Sequence, residues 1–331
     1  MVYHLCSGFR DILNITCNKK NHDGLLLSGG LDSSILAYHL KPKNAITITV
    51  DNRNNSQDYF YSTLIAEKKY VTEHHKIIIS FEEILAKIEE LIKDYKTFDP
   101  IFLKNSVIQL IGFHWAQKLK IKSLVVGDGA DELFAGYNFL HKYMEDRKKI
   151  TEKIDFIIEN MNFFSTQFSL KTGYSIFLPF LESEIVQFSK KITLEEKISN
   201  HDDGTTFGKF FLRKCYEDIL GKEIAWRKKT ALQDGSGVYK LEKHIEKNIL
   251  NDDKKYNEEI KKIKLNEHVI IRNKEHLYFY KIYRKFFNPP VDEEFIKFGK
   301  DDTIIKKCQY CNSWFIWQGN FCKVCGSFPA L

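Results

Sequence analysis

Short apolar runs alternate with longer amphipathic stretches over the first third of the chain, and that rhythm is the primary structural signal. After an amphipathic lead, Leu5 to Cys17, Gly24 to Leu27 forms a short apolar run, followed by a glycine-rich turn and a helical stretch from Ser33 to Leu40. Ala45 to Val50 predicts a second strand, Gln57 to Tyr70 a helix, Lys76 to Ile79 a third strand and Phe81 to Tyr95 an amphipathic helix. Ser106 to Leu119 reads as helix, and Ser123 to Val126 as another buried strand. Strands alternating with helices predict an α/β fold, a doubly wound parallel sheet covered on both faces. From about Met144 the strand signals vanish and a charge-rich helical half is expected, ending at Asn288-Pro289-Pro290 because neither proline can continue a helix. The implied organisation is a lead over 1–22, an α/β core over 23–143, a helical part over 144–290, a linker over 291–305 and a cysteine-rich tail over 306–331.

Composition narrows the class. With 331 residues, 43% hydrophobic and 28% charged, the chain can bury a full core. No apolar run approaches the roughly 18 residues of a membrane span, and residues 1–20 lack the pattern of a secretory leader, so a cytoplasmic protein with no membrane partner is expected. The net charge of +6 permits a polyanionic partner without establishing one. Four of the seven cysteines, Cys308, Cys311, Cys322 and Cys325, crowd into the last 24 residues as two Cys-x2-Cys pairs, the spacing of a structural zinc ribbon. Cys6, Cys17 and Cys215 are scattered and read as small buried hydrophobes.

Two segments carry chemistry. Ser28-Gly29-Gly30-Leu31-Asp32-Ser33-Ser34 lies between a strand and a helix N-terminus. Glycines there let backbone N–H groups approach a phosphate, serine hydroxyls add donors, and the helix start favours negative charge. A purely structural turn would explain the glycines but not Asp32 with two following serines. After the Ser123 to Val126 strand comes Gly127-Asp128-Gly129-Ala130-Asp131-Glu132-Leu133-Phe134-Ala135-Gly136-Tyr137. Carboxylates so close at a strand end are costly unless a cation or hydrogen-bond donors neutralise them, and Mg²⁺, which prefers oxygen ligands, suits Asp32 and Asp131.

The first loop resembles the signature of the PP-loop, or N-type, ATP pyrophosphatases, which cleave ATP between the α- and β-phosphates. Together with the second segment the resemblance narrows to the synthetase domain of asparagine synthetase and its relatives. Further pieces occur in that family's order: Ser56-Gln57-Asp58, Thr72-Glu73-His74-His75, Leu178-Pro179-Phe180-Leu181, Gly208-Lys209 with Leu212-Arg213, and Ala225-Trp226-Arg227-Lys228-Lys229 through Asp234-Gly235. Coverage runs from about Asp23 to Phe287.

The resemblance implies a PP-loop, HUP-like fold and an AMP-forming amide ligase that adenylates a carboxylate, small or carrier-bound, and passes the acyl group to ammonia or an amine. It implies that Ser28, Gly29, Gly30, Leu31, Asp32, Ser33, Ser34, Val50, Gly127, Asp128 and Gly129 bind ATP and its pyrophosphate portion. Asp32 and Asp131 would hold Mg²⁺, Lys229 would be the active-site lysine and Lys209 a second, phosphate-facing lysine. Lys228 and Lys240 read as solvated.

Departures from the family also matter. Only about two dozen residues precede the phosphate loop, so no glutaminase domain is expected. Ser175 and Phe177 stand where the family carries a glutamate and an arginine, which implies intact adenylation and altered acceptor chemistry, with Tyr174 a candidate proton handler. The zinc ribbon, with Trp314, Phe315, Trp317, Phe321, Lys306, Lys307 and Lys323, suits contact with tRNA or a protein partner, and two alternatives stay open: a PP-loop enzyme that modifies tRNA gripped by the ribbon, or a non-catalytic, partner-binding scaffold that keeps the nucleotide pocket.

Overall fold

Five strands, β1 (Gly24–Leu26), β2 (Asn44–Thr49), β3 (Glu73–Ile78), β4 (Ser123–Val125) and β5 (Ser175–Phe177), pair in parallel in the order β3-β2-β1-β4-β5. A computed structural model describes residues 2–19, 21–50, 56–290, 305–316 and 321–330. Their contacts divide into two units, Met1–Ile78 with Gln109–Gly237, and Ile79–Ile108 with Val238–Leu331.

In the first unit the apolar runs become strands because both faces of the sheet are covered. Leu25, Leu27 and Val125 pack into one core with Ile35 and Leu36 of α2 (Leu31–Leu40) and with Phe9 and Leu13 of α1 (Val2–Asn18). Between them Leu26 meets Gly112, where an added Cβ would lie 2.6 Å from its Cδ1. The chain builds outward from β1, first to β2 and β3 on one side and then to β4 and β5 on the other. That reversal opens a crevice beyond the carboxyl ends of β1 and β4, where open α/β sheets bind ligands.

Strands do not vanish after Met144. Ser175–Phe177 joins the parallel sheet beside β4, and β6 (Ile198–Asn200) pairs antiparallel with β7 (Thr206–Gly208). Each has three residues, too few for a hydrophobic period to register, and each exists through its partner. The scattered cysteines also differ from expectation. Cys6 and Cys215 form a disulfide, with Cα atoms 5.0 Å apart, between α1 and the helix Phe210–Leu220. A pairing over 209 residues leaves no local trace. Cys17 is free and buried, and burial pushes its thiol up to about 12.

In the second unit α4 (Phe81–Tyr95) starts at a capping box, Ser80 accepting from Glu83 N–H while the Glu83 carboxylate accepts from Ser80 N–H. Phe98 is fully buried against the rings of His276, Tyr280 and Tyr283 on the helix Lys274–Phe286. Lys104 pairs with Glu275 at 2.8 Å. The expected linker, residues 291–305, lies almost wholly outside the described residues. No helix among the described residues is long and apolar enough to cross a membrane.

Candidate active site and four-cysteine centre

The turn after β1 is shaped by crowding. Gly29 has φ +66°, and a Cβ there would overlap Ser62 N of α3 (Gln57–Glu67), so both conformation and space require glycine. Gly30 caps α2 without a side chain, which leaves first-turn N–H groups for an anion. Ser28 and Ser33 hydroxyls lie 3.2 Å apart, and the Ser34 hydroxyl is buried with no hydrogen-bond partner among the described residues.

Beyond β4, Gly127 sits against Asp32, and Gly129 (φ +100°) leaves no room for a Cβ beside Leu181, which ties the Leu178–Leu181 motif to this loop. Asp131 lies in the four-residue helix Ala130–Leu133. Lys209, at the end of β7 in a left-handed conformation (φ +53°), donates its N–H to Phe134 O at 3.0 Å. Its ammonium lies between the two strand tips, 2.6 Å from Asp32 Oδ2 and 2.7 Å from Asp131 Oδ1. Lys229 Nζ pairs with Asp131 Oδ2 at 2.7 Å and lies over the Tyr137 ring. A Cβ on Gly136 would overlap both Asp131 Oδ1 and Lys209 Cε.

Charge here is distributed unequally. Burial opposes ionisation of Asp131, but Lys209 and Lys229 together overcome it and hold this carboxyl well below the usual range. Burial raises Asp32, whose relief comes chiefly from Lys209. Lys209 is itself buried, yet Asp131 and Asp32 keep it charged above the ordinary lysine range. Asp32 Oδ1 is buried without a hydrogen-bond partner among the described residues, a spare acceptor that a cation would satisfy. Two carboxylates from adjacent strand tips, one with a spare oxygen, match the oxygen-donor preference of Mg²⁺.

The structure brings together Ser28 to Ser34, Gly127, Asp131, Lys209 and Lys229. Asp128 is engaged elsewhere: its carboxylate accepts from Ser165 at 2.5 Å and Gln109 at 3.2 Å, and burial pushes it up to about 6. Val50, at the tip of β2, donates its N–H to Ser236 O at 2.9 Å. Lys228 is exposed. Tyr174 and Ser175 stand at the opposite end of the sheet. Ser175 is paired with Ser123, and the Tyr174 hydroxyl donates to Ile121 O at 2.8 Å, so a proton-handling role at the strand tips is not met. The Phe177 ring stacks on His22 with centroids 4.4 Å apart.

Asp58, Arg213 and Arg227, all buried, are functional neighbours of the site to which the motifs alone give no role. Their signal is present, two arginines and an aspartate inside motifs already noted, but partnership is visible only in three dimensions. Asp58 pairs with Arg227 at 3.2 Å, and burial nonetheless pushes its carboxyl up to about 7. A carboxyl raised on folding takes up a proton, so it stabilises the native state below its unfolded value and loses that contribution as pH rises from about 4 to about 7. Asp58→Asn should therefore flatten the decline in unfolding free energy across that window, by up to about 1.4 kcal/mol per pH unit. Urea melts at pH 4.5, 6 and 7.5 check this; an unchanged slope would show that Asp58 does not bind the proton.

The second centre is metal-like. Cys308, Cys311, Cys322 and Cys325 are fully buried, and their sulfurs all lie within 4.8 Å of one another. β8 (Ile305–Lys307) pairs antiparallel with β9 (Trp314–Ile316), and two tight knuckles, closed by Cys308 N–H to Ser313 O and Cys322 N–H to Ser327 O, present the thiols. Four converging sulfurs fit tetrahedral zinc with no open position. Trp314 is 40% exposed with Lys307 Nζ 4.8 Å from its ring centroid. Trp317 and the Phe315 side chain lie outside the described residues.

A family model described as asparagine synthase matches residues 9–173 and 168–281. The chain is 28% identical over 289 residues to the glutamine-hydrolyzing asparagine synthetase of Gallus gallus, covering 80% of this chain and 49% of that protein. It is 27% identical over 289 residues to asparagine synthetase 1 of Lotus japonicus, covering 80% and 47%. With asparagine synthetase B of Escherichia coli (strain K12) it shares 26% identity over 232 residues, covering 65% and 41%. The chain thus spans about half the length of these relatives. Since the family model matches well over half of its residues, the chain belongs to the asparagine synthase family.

Proposed function

We propose that the chain is an AMP-forming, ATP-dependent amide ligase. A carboxylate oxygen attacks the α-phosphorus of ATP and pyrophosphate departs; ammonia or an amine then attacks the acyl carbon, the C–O bond to AMP breaks and the nitrogen loses a proton. The observation that carries this reading is the ammonium of Lys209 held between Asp32 and Asp131, with Lys229 alongside, at the tips of β1 and β4. Backbone N–H groups of the Ser28 to Ser34 loop and the start of α2 would hold the departing pyrophosphate. Lys229, 22% exposed in its side chain against 4% for Lys209, is the more available cation for charge developing at the α-phosphate. Asp32 and Asp131 would hold Mg²⁺, which when bound neutralises phosphate charge. The acceptor is a carboxylate whose recognition does not use the family's glutamate and arginine positions, filled here by Ser175 and Phe177.

The test is product identity. With α-labelled ATP, Mg²⁺, ammonium and a carboxylate panel that includes aspartate, AMP and pyrophosphate should form in equal amounts. ADP with orthophosphate would overturn the reading, and stimulation by tRNA alone would move the substrate to RNA. Asp32→Asn should lower turnover by at least about 100-fold; full activity would refute its role.

A further inference from the structure

We propose that Arg213 is the positioning residue that sets both site lysines at once. The inference rests on the ligase reading for its kinetic arm only. Arg213 is 3% exposed and lies in the helix that follows Lys209. Its Nε donates to Gly208 O at 2.9 Å, the carbonyl of the peptide that leads into Lys209. Its NH1 donates to Ala225 O at 2.7 Å and to Arg227 O at 2.9 Å, in the segment that ends at Lys229. The guanidinium carbon lies 4.7 Å from the centroid of the Phe207 ring, which limits its freedom to swing.

One rigid fork therefore joins two chain segments that arrive from different parts of the sequence and have no sheet pairing with each other. Arginine alone offers this: several donors in a fixed plane, whereas a lysine in its place reaches one carbonyl without the planar constraint. The need for such a brace is visible in Lys209, whose φ of +53° is unfavourable for a residue with a side chain and persists only if the surroundings dictate it. Lys229 lies in a stretch without regular structure, between the helix Lys222–Ala225 and the short helix Leu232–Gly235. Arg227 extends the brace to the phosphate loop. Its guanidinium reaches Asp58 at 3.2 Å and Ser28 O at 3.5 Å while lying over the Tyr61 ring. Among the described residues Arg213 makes no hydrogen bond or ion pair with either carboxylate of the crevice; Asp32 and Asp131 meet it only as charges acting through space, and that charge is kept in Arg213→Lys, which removes the fork alone.

Arg213→Lys and Arg213→Met test this in the full chain. If Arg213 positions the lysines, kcat for AMP formation falls about 10- to 100-fold while KM for ATP changes less than threefold, since misplacing a charge by about 1 Å weakens the transition state more than the ground state. A readout independent of activity is lysine acetylation followed by mass spectrometry. Both variants should label faster at Lys209 and Lys229, with unchanged rates at Lys87 and Lys281. Faster labelling everywhere indicates general loosening and overturns the proposal, as do unchanged rates at the two site lysines. Selective labelling in a chain that forms no AMP upholds the brace and sinks the ligase reading instead.

Discussion

Replacing Lys209 with methionine is expected to lower the unfolding free energy at pH 7 by about 3–5 kcal/mol, because it leaves buried carboxylates facing each other without the ammonium between them. Asp32 bears most of the loss. Lys209 is the chief group that offsets its burial, whereas Asp131 keeps Lys229. Asp32 in the variant should bind a proton still more readily on folding, so the deficit shrinks as pH falls and grows as pH rises. Magnesium at millimolar concentration should return part of the lost stability, since a divalent cation suits the same two carboxylates. Turnover should fall by about 100-fold or more, in line with the removal of a preorganised charge from a reacting centre. Urea denaturation at pH 5 and pH 7.5, with and without Mg²⁺, separates these effects. Undiminished stability at pH 7.5 would mean that Lys209 does not neutralise the strand tips.

The second large effect concerns zinc. Purified protein should carry one zinc per chain, and chelation or Cys322→Ser should release it. Within the second unit the ribbon is held by backbone acceptors: Val324 O accepts from Phe98 N–H at 2.8 Å, Lys323 O from Thr97 Oγ1 at 2.7 Å, and Cys325 O from Arg272 NH2 at 2.7 Å. Hydrogen bonds of this kind contribute about 1 kcal/mol each, while structural zinc supplies about 10–16 kcal/mol in small ribbons, so the metal decides whether the knuckles persist. The Phe98 amide should then lose hydrogen-exchange protection when zinc is removed. Amides of β1 and β4 in the first unit should stay protected. Retained Phe98 protection in zinc-free protein would show that the second knuckle holds without metal.

Most of the α/β core was legible because its signals are local. Phe81 to Tyr95 emerges with the limits its amphipathic pattern gives, and Ser80 and Glu83 supply the cap that fixes its start. β5 was not legible, since three residues cannot display a period and its strand character comes from β4 alongside. The same holds for Cys6 and Cys215, whose bond depends on α1 and the helix Phe210–Leu220 coming side by side. Within the site, Asp32, Asp131, Lys209 and Lys229 could be named from motifs. Arg213 stands in one of those motifs too, but its role could not be read there, because its significance is three carbonyls that only folding assembles.

By itself, then, the order of residues determined which groups are available: a glycine-rich turn that admits an anion, acidic residues after a second strand, two lysines downstream and four sulfurs at knuckle spacing. The tertiary structure decided how they neutralise one another. It seated Lys209 between two carboxylates, left Asp32 the weaker acid and Asp131 the stronger, and moved Tyr174 to the far end of the sheet. The physical reason is that spacing along a chain fixes only neighbours within a turn or a strand. Electrostatic balance depends on distances of about 3 Å between residues far apart in sequence, and on how much water the surrounding core excludes.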